Sequence, residues 1–402
     1  MTSVTVLGLG RMGSAMAERL LPHHDVRTWT RSAGGSPGGV VADADVVLLC
    51  LFDGPACREV IAQCVKALGD DTTVVNTTTV SPDEADELDA LVTATGATCL
   101  HAPVMGSTPA VADGRLTILA AGKPQPEVQS VLDLLGDVLV FGSAAEAAAL
   151  KLVANGVLGD SVASLRRALA RADALGLPRS AALDVLGRTM LGRLVDGSRG
   201  ALTGEEPPPT ASFAAGALAK DLALLATATD TTSDASSAVS ALLAEGAVDA
   251  ESDLCMVGAA TQDLAWLADA RLDVSPEVVP DPAVLRPLHA YALTHATGDP
   301  SYLTEAFLPT AHIEGYRDEG FSSWDLDAFA GVFSGPAPDE ATRSRRIECL
   351  DVRGSVATAV MTLHHGDVDF TDVFVLVRRP DGEWRIANKA YERRDAADLA
   401  MR

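Results

Sequence analysis

Apolar and polar positions change rhythm three times along the chain. From residue 1 to 143, short β-branched runs alternate with stretches whose apolar residues recur every third or fourth position. The runs predict strands at 4–7, 26–29, 45–50, 73–76, 98–101, 116–120 and 138–140. Strand–helix–strand units of this kind predict a mostly parallel sheet covered on both faces, an α/β Rossmann-type domain. From 144 to 275 the strand rhythm disappears. Residues 147–175 read as one long alanine- and leucine-rich helix that stops at Gly176, with Pro178 just beyond, and further helices are predicted near 180–195, 213–229, 232–245 and 259–270. This stretch is expected to form an all-α domain. Residues 275–282, Ser-Pro-Glu-Val-Val-Pro-Asp-Pro, place three prolines in eight positions, so 276–282 read as a semi-rigid linker. Across 283–402 the pattern predicts helices near 283–296, 301–307 and 325–333, with strands at 311–316, 345–352, 355–363, 369–377 and 384–391. Arg379-Pro380-Asp381-Gly382 supplies a hairpin turn between the last two strands. Helices followed by a curled antiparallel sheet predict an α+β domain.

Composition narrows the function classes. A chain of 402 residues with 48% hydrophobic content has ample apolar surface for two or three cores. The formal charge of −24 argues against binding nucleic acid or an anionic membrane through the overall field. Any anionic ligand has to be held by local donors. No uninterrupted apolar run reaches the roughly 18 residues of a membrane span. The N-terminus enters a strand pattern, Val4–Leu7, without a signal-peptide layout, so a cytoplasmic location is expected. Cysteines 50, 57, 64, 99, 255 and 349 show no Cys-x-x-Cys spacing and are expected as buried reduced thiols, with no metal site. His23-His24 and His364-His365 read as solvated turn residues.

Two signals carry chemistry. Gly8-Leu9-Gly10-Arg11-Met12-Gly13 is a G-x-G-x-x-G lying between a predicted strand and a predicted helix. In that context the glycines permit a tight turn and close approach of a pyrophosphate to a helix N-terminus. The second predicted strand ends in Thr30-Arg31-Ser32, where an NAD site places an acid for the ribose hydroxyls. A guanidinium and two hydroxyls suit a 2′-phosphate instead, so the expected cofactor is NADPH, with a merely solvated Arg31 as the alternative. The second signal is a lysine. The chain holds 5 lysines against 26 arginines, and Lys151 falls inside an apolar helix with Asn155 one turn later on the same face. Lysine can have its pKa lowered by burial and act as a general acid or base. A snorkelling lysine at a helix rim is the competing reading.

On these motifs, residues 1–275 resemble the β-hydroxyacid dehydrogenase family, relatives of 6-phosphogluconate and 3-hydroxyisobutyrate dehydrogenases. Gly8–Gly13 resembles the family's opening fingerprint. Thr78-Thr79-Val80-Ser81-Pro82 resembles its loop beside the nicotinamide, and His101–Ser107 resembles its substrate loop. Lys151 and Asn155 resemble the catalytic pair, and Lys220-Asp221-Leu222 resembles a later motif. The resemblance implies hydride transfer from NADPH to a carbonyl, with Lys151 protonating the alkoxide and Asn155 orienting the oxygen. It also implies that Met105, Gly106 and Ser107 meet a small-molecule substrate, and that Lys220 closes the cofactor side of the cleft. Two departures bear on substrate. Met105 stands where the family has serine, and Ser107 where it has glycine. A methionine there is similar to imine reductases, which reduce C=N bonds and generally lack the lysine kept here. A homodimer, with a tetramer as the alternative, is implied through an apolar interface along 150–270.

Residues 283–394 resemble the NTF2-like, SnoaL-like superfamily, within it the lumazine-binding-like group. The resemblance rests on a helix pair, Gly298-Asp299, the strand 311–316 and the ending Asp372-Val-Phe-Val-Leu with Trp384-Arg-Ile-Ala-Asn-Lys389. His312, Asp372 and Tyr391 are polar residues on predicted strands that could line a cavity, while Trp324 and Trp384 read as core. Three functions stay open: a carbonyl reductase using Lys151, an imine reductase or reductive aminase, and a non-catalytic NADPH-binding module whose C-terminal domain binds a ligand.

Overall fold

The computed structural model describes residues 1–244, 246–260, 264–275, 278, 280–317 and 320–395. They form two compact units, one of Met1–Ser164, Gly187–Ser236 and Val248–Gly258, the other of Leu165–Leu186, Ser237–Ala247 and Ala259–Arg402.

In the first unit β1 (Ser3–Leu7), β2 (Asp25–Trp29), β3 (Val46–Leu49), β4 (Thr73–Asn76) and β5 (Thr98–His101) make a parallel sheet in the order β2-β1-β3-β4-β5. Period-two alternation sorts the strand residues onto two cores. Leu7, Val47, Leu49 and Val74 pack with Cys57, Val60 and Leu88. Val4, Val6, Val46, Leu48 and Val75 pack with Met16 and Leu20. The four residues of β3 are all buried, whereas edge strand β2 is only partly so, as a sheet with helices on both faces requires. Three more strands, β6 (Val104–Met105), β7 (Leu116–Ala121) and β8 (Gly136–Phe141), form a second sheet. β6 is too short to show a period and was not predicted. Ser81 caps the helix Pro82–Thr93 in a reciprocal arrangement with Glu84, which contributes about 1 kcal/mol.

The helix Ala144–Ala174 spans 31 residues, and its residues divide between the two units. One window of it reaches a mean hydropathy of 1.2 over eighteen residues, long and apolar enough by composition to cross a membrane, although half of that window is buried within the protein. The predicted helix at 180–195 is two pieces, Arg179–Leu186 and Gly192–Asp196. The described residues from 144 to 260 form helices, as expected, and they are shared between the two units.

The second unit also starts earlier than the proline-rich segment. Where a helix at 259–270 was expected, there is a short helix Cys255–Ala259, a 3₁₀ turn Ala265–Ala270 and a strand, β9 (Leu272–Val274), with 261–263 outside the described residues. Leu267, Ala270 and Leu272 are buried in the C-terminal core, which overrides the helical periodicity. The predicted linker 276–282 thus follows a strand of the C-terminal sheet, and its residues 276, 277 and 279 lie outside the described residues.

That sheet runs β11-β10-β15-β14-β13-β12-β9, from β10 (His312–Arg317), β11 (Gly320–Asp325), β12 (Ser344–Arg353), β13 (Val356–His365), β14 (Val368–Arg378) and β15 (Trp384–Asp395). Register shifts at Ile347/Cys349 and Val375/Leu376 bend its long strands. The helix Pro282–Thr297 is capped by Asp281 and shares one core with Ile347, Met361, Phe374 and Leu376. Trp384 is buried in this core, as predicted, and Trp324 packs against it partly exposed. His365 lies on β13 rather than in a solvated turn, because β13 and β14 extend to its position. Cys349 is exposed, against the expectation of burial, since it sits at the β12 irregularity.

Candidate active site

β1 delivers the chain into the glycine turn. Gly8 has φ +103°, and a Cβ there would lie 2.3 Å from the Cys50 carbonyl oxygen. A Cβ on Gly13 would lie 1.9 Å from the Gly8 oxygen. Both glycines are therefore demanded by the turn itself. Gly10 differs, since a Cβ there meets nothing within 4 Å. Gly10 is the N-cap of the helix Arg11–Leu20, makes no side-chain cap bond, and no acid lies in the first turn. Uncapped amides at a positive helix end, beside an open glycine, fit a dinucleotide pyrophosphate.

Leu9, Arg11 and Met12 line the same cleft, of about 1300 Å³, with Thr30, Arg31, Thr78, Met105, Gly106, Ser107, Lys151, Asn155 and Lys220. Ser32 is not among its walls. Arg31 is exposed and pairs with Glu59 at 2.6 Å, and Arg11 pairs with Glu251 at 2.9 Å. Thr78 is buried: its hydroxyl accepts from the Leu51 amide at 3.0 Å, and its own amide donates to Asn76 Oδ1 at 3.0 Å. Its side chain thus shapes the loop after β4. In the loop of residues 101–107 Met105 is 36% exposed, Gly106 has φ +126°, and Ser107 starts the short helix Thr108–Ala112 with its hydroxyl in no cap bond. His101 is buried, neither ring nitrogen has a protein partner, and burial pushes its pKa down to about 4.

One wall of the cleft carries a buried polar relay. Lys151 Nζ donates to Asn155 Oδ1 at 3.0 Å, and Asn155 Nδ2 donates to Asp221 Oδ2 at 2.5 Å. A carboxylate only accepts, so Asp221 fixes which way the Asn155 amide faces. Asp221 Oδ1 lies 2.8 Å from Lys220 Nζ, which also donates to the Thr79 carbonyl at 2.8 Å. The helix Ala215–Thr229 is thereby tied to the loop after β4. Lys151, Asn155 and Asp221 are all buried. Burial lowers the Lys151 pKa, Asp221 opposes that shift, and Lys220 adds to it. Each hydrogen-bonding end of Asn155 thus holds one protein partner, which leaves its second N–H and its second oxygen lone pair for a further group.

The sequence reading assigned no role to Asp221, although it noticed the Lys-Asp-Leu motif containing it. It missed Glu59, Glu251 and Arg193, a further exposed cation on the cleft wall. None of the three lies in a motif, and only folding brings Glu251 and Arg193 to the cleft wall and Glu59 to Arg31.

Residues 3–142 match the "NAD binding domain of 6-phosphogluconate dehydrogenase". A "Probable 3-hydroxyisobutyrate dehydrogenase" of Mycobacterium bovis is 30% identical over 203 residues, 46% of this chain and 69% of that protein. The chain belongs to the β-hydroxyacid dehydrogenase family. A solved 3-hydroxyisobutyrate dehydrogenase of Mycobacterium tuberculosis with L-serine superposes on this member with a TM-score of 0.55 and 25% identity, over 64% of this chain and 98% of that one. The "Cytokine-like nuclear factor N-PAC" of Danio rerio is 31% identical over 201 residues, 45% of this chain and 44% of that protein. The family member thus spans less than half of that relative's length. Residues 280–392 match a second family, "Putative lumazine-binding", so an NTF2-like domain follows the dehydrogenase portion.

Proposed function

We propose that the first unit is an NADPH-dependent oxidoreductase that interconverts a β-hydroxy acid and its carbonyl form, with Lys151 as the proton donor and acceptor. The observation that carries this reading is the buried Lys151–Asn155–Asp221 relay on the wall of the cleft that also holds the glycine turn. The 2′-phosphate is assigned to Arg31 and Thr30, which requires Arg31 to exchange Glu59 for the ligand.

The bound dinucleotide supplies hydride to a carbonyl carbon, or takes it up in the reverse direction. Lys151 gives a proton to the oxygen as it becomes a hydroxyl. Asn155 accepts one Lys151 N–H and so aims the remaining protons, and Asp221 holds Asn155 in that orientation. Once Lys151 is neutral, burial favours that state, which eases the transfer. Backbone amides around Gly106 and the Ser107 hydroxyl hold the substrate's polar group, and Met105 places an apolar surface beside it.

Met105 supports a second reading, in which the reduced bond is C=N. Initial rates with NADPH and with NADH, on β-keto acids and semialdehydes, with and without an added amine, separate the two. Turnover without amine and preferring NADPH is the expected result. Turnover only with amine would move the chemistry to imines, and silence with NADPH bound would overturn both readings. Pairing into a homodimer is also proposed. Leu150, Val153 and Val157 leave an exposed apolar stripe on one face of the helix Ala144–Ala174.

A further inference from the structure

The second unit holds a cavity of about 300 Å³, lined by the helix Pro282–Thr297 and by β13, β14 and β15. That volume is at the lower end for small-molecule sites. None of its lining residues belongs to the dinucleotide cleft. Its buried end is a charged cluster. Tyr291 Oη donates to Asp372 Oδ2 at 2.5 Å, while Lys389 Nζ donates to the same Oδ2 at 2.8 Å and to Tyr291 Oη at 2.5 Å. All three residues are buried. Oδ2 is fully used. Oδ1 of the same carboxylate has no protein partner, and neither do His295 Nε2 and His365 Nε2. Asp372, His295 and His365 all line the cavity.

An ion pair that served the fold alone would be expected to employ both carboxylate oxygens, because a bare buried acceptor is costly. Three such atoms around one cavity point to a ligand. The charges there restrict its class. Lys389 is balanced by Asp372, Arg343 by Asp339 at 2.9 Å, and Arg345 by Glu340 at 2.8 Å. Burial, together with nearby Arg343, Arg345 and Lys389, keeps both imidazoles neutral, with His365 lowered to about 3. Arg393 also lines the cavity and is engaged within the protein, so the described residues offer no surplus cation for an anion. Trp324, Phe329, Phe333 and Phe370 supply aromatic walls. The remaining need is a group that donates to a carboxylate and meets a neutral imidazole nitrogen of either tautomer. An N–H only donates and a carbonyl only accepts, whereas a hydroxyl does both.

We propose that this cavity is a second small-molecule site, one that takes a neutral hydroxylated aromatic compound whose hydroxyl donates to Asp372 Oδ1. Tyr391, one of the strand residues singled out from sequence, also lines it, but its hydroxyl is occupied by Ser322 at 2.6 Å. The third of those strand residues, His312, is exposed and takes no part.

The test is calorimetric titration of the full chain with 2-naphthol, with naphthalene as the matched hydrocarbon, each with and without saturating NADPH. Saturable binding of 2-naphthol, at least about tenfold tighter than naphthalene and unchanged by NADPH, is expected. Asp372→Asn should reduce that preference to less than about threefold. Because this variant disturbs the buried Lys389, a second one is needed at the exposed Val332, which lines the cavity. Val332→Trp should obstruct entry and weaken 2-naphthol by about tenfold or more, with an unchanged melting temperature. Equal affinity for the two compounds, displacement by NADPH, wild-type binding by Val332→Trp, or no saturable binding would each overturn the proposal.

Discussion

At the scale of single residues, the proposed proton transfer depends on how one lysine is held. Lys151 is desolvated, which favours its neutral form, and Asp221 works against that through its charge. The proposed reduction needs Lys151 protonated, so its rate should fall as pH rises through the Lys151 pKa. Removing the Asp221 charge lowers that pKa further. Asp221→Asn should therefore move the alkaline limb of the reduction profile to lower pH, and the limb of the oxidation profile in the same direction. A substitution that only loosened the fold would scale both profiles without moving them. Arg31 offers a second prediction. Glu59 competes for its guanidinium across a 2.6 Å pair, so Glu59→Gln should tighten NADPH binding by a few-fold. Arg31→Ala should weaken NADPH by about tenfold or more, the loss of a charge-assisted contact, and change NADH little. Affinities of both dinucleotides for the two variants, measured by fluorescence titration, check this.

Elements explain why some of the site could be read from sequence and some could not. The strand–turn–helix around Gly8–Gly13 is a local event. Its strand, its steric demands and its uncapped helix start all lie within one stretch, and each appears where the pattern placed it. Lys151 and Asn155 were legible for the same reason, since one helical turn separates them. Asp221 completes their relay from 66 residues away, and Glu59 and Glu251 reach Arg31 and Arg11 from separate segments. No periodicity encodes such meetings. The stretch before the proline-rich segment was illegible for another reason. β9 lies there and pairs in parallel with β12, a long-range contact that a three-residue strand does not announce. β11 was also missed, being short and largely exposed.

The molecule as a whole joins an acidic, alanine-rich dehydrogenase portion to a cone with its own core and its own cavity. With a formal charge of −24, the overall field repels an anionic dinucleotide, which local donors would have to capture. If the stripe of Leu150, Val153 and Val157 pairs two chains, Val153→Glu with Val157→Glu should halve the sedimenting mass in analytical ultracentrifugation. An unchanged mass would exclude that face. The central claim, that Lys151 moves the proton in a dinucleotide-dependent reduction, is tested most directly by one comparison. It is the kcat for NADPH oxidation by wild type and Lys151→Ala on the best substrate of the panel, with NADPH affinity measured on the same samples. The account predicts a fall of at least about a hundredfold with NADPH binding retained. A variant that binds NADPH and turns over at the wild-type rate would contradict it.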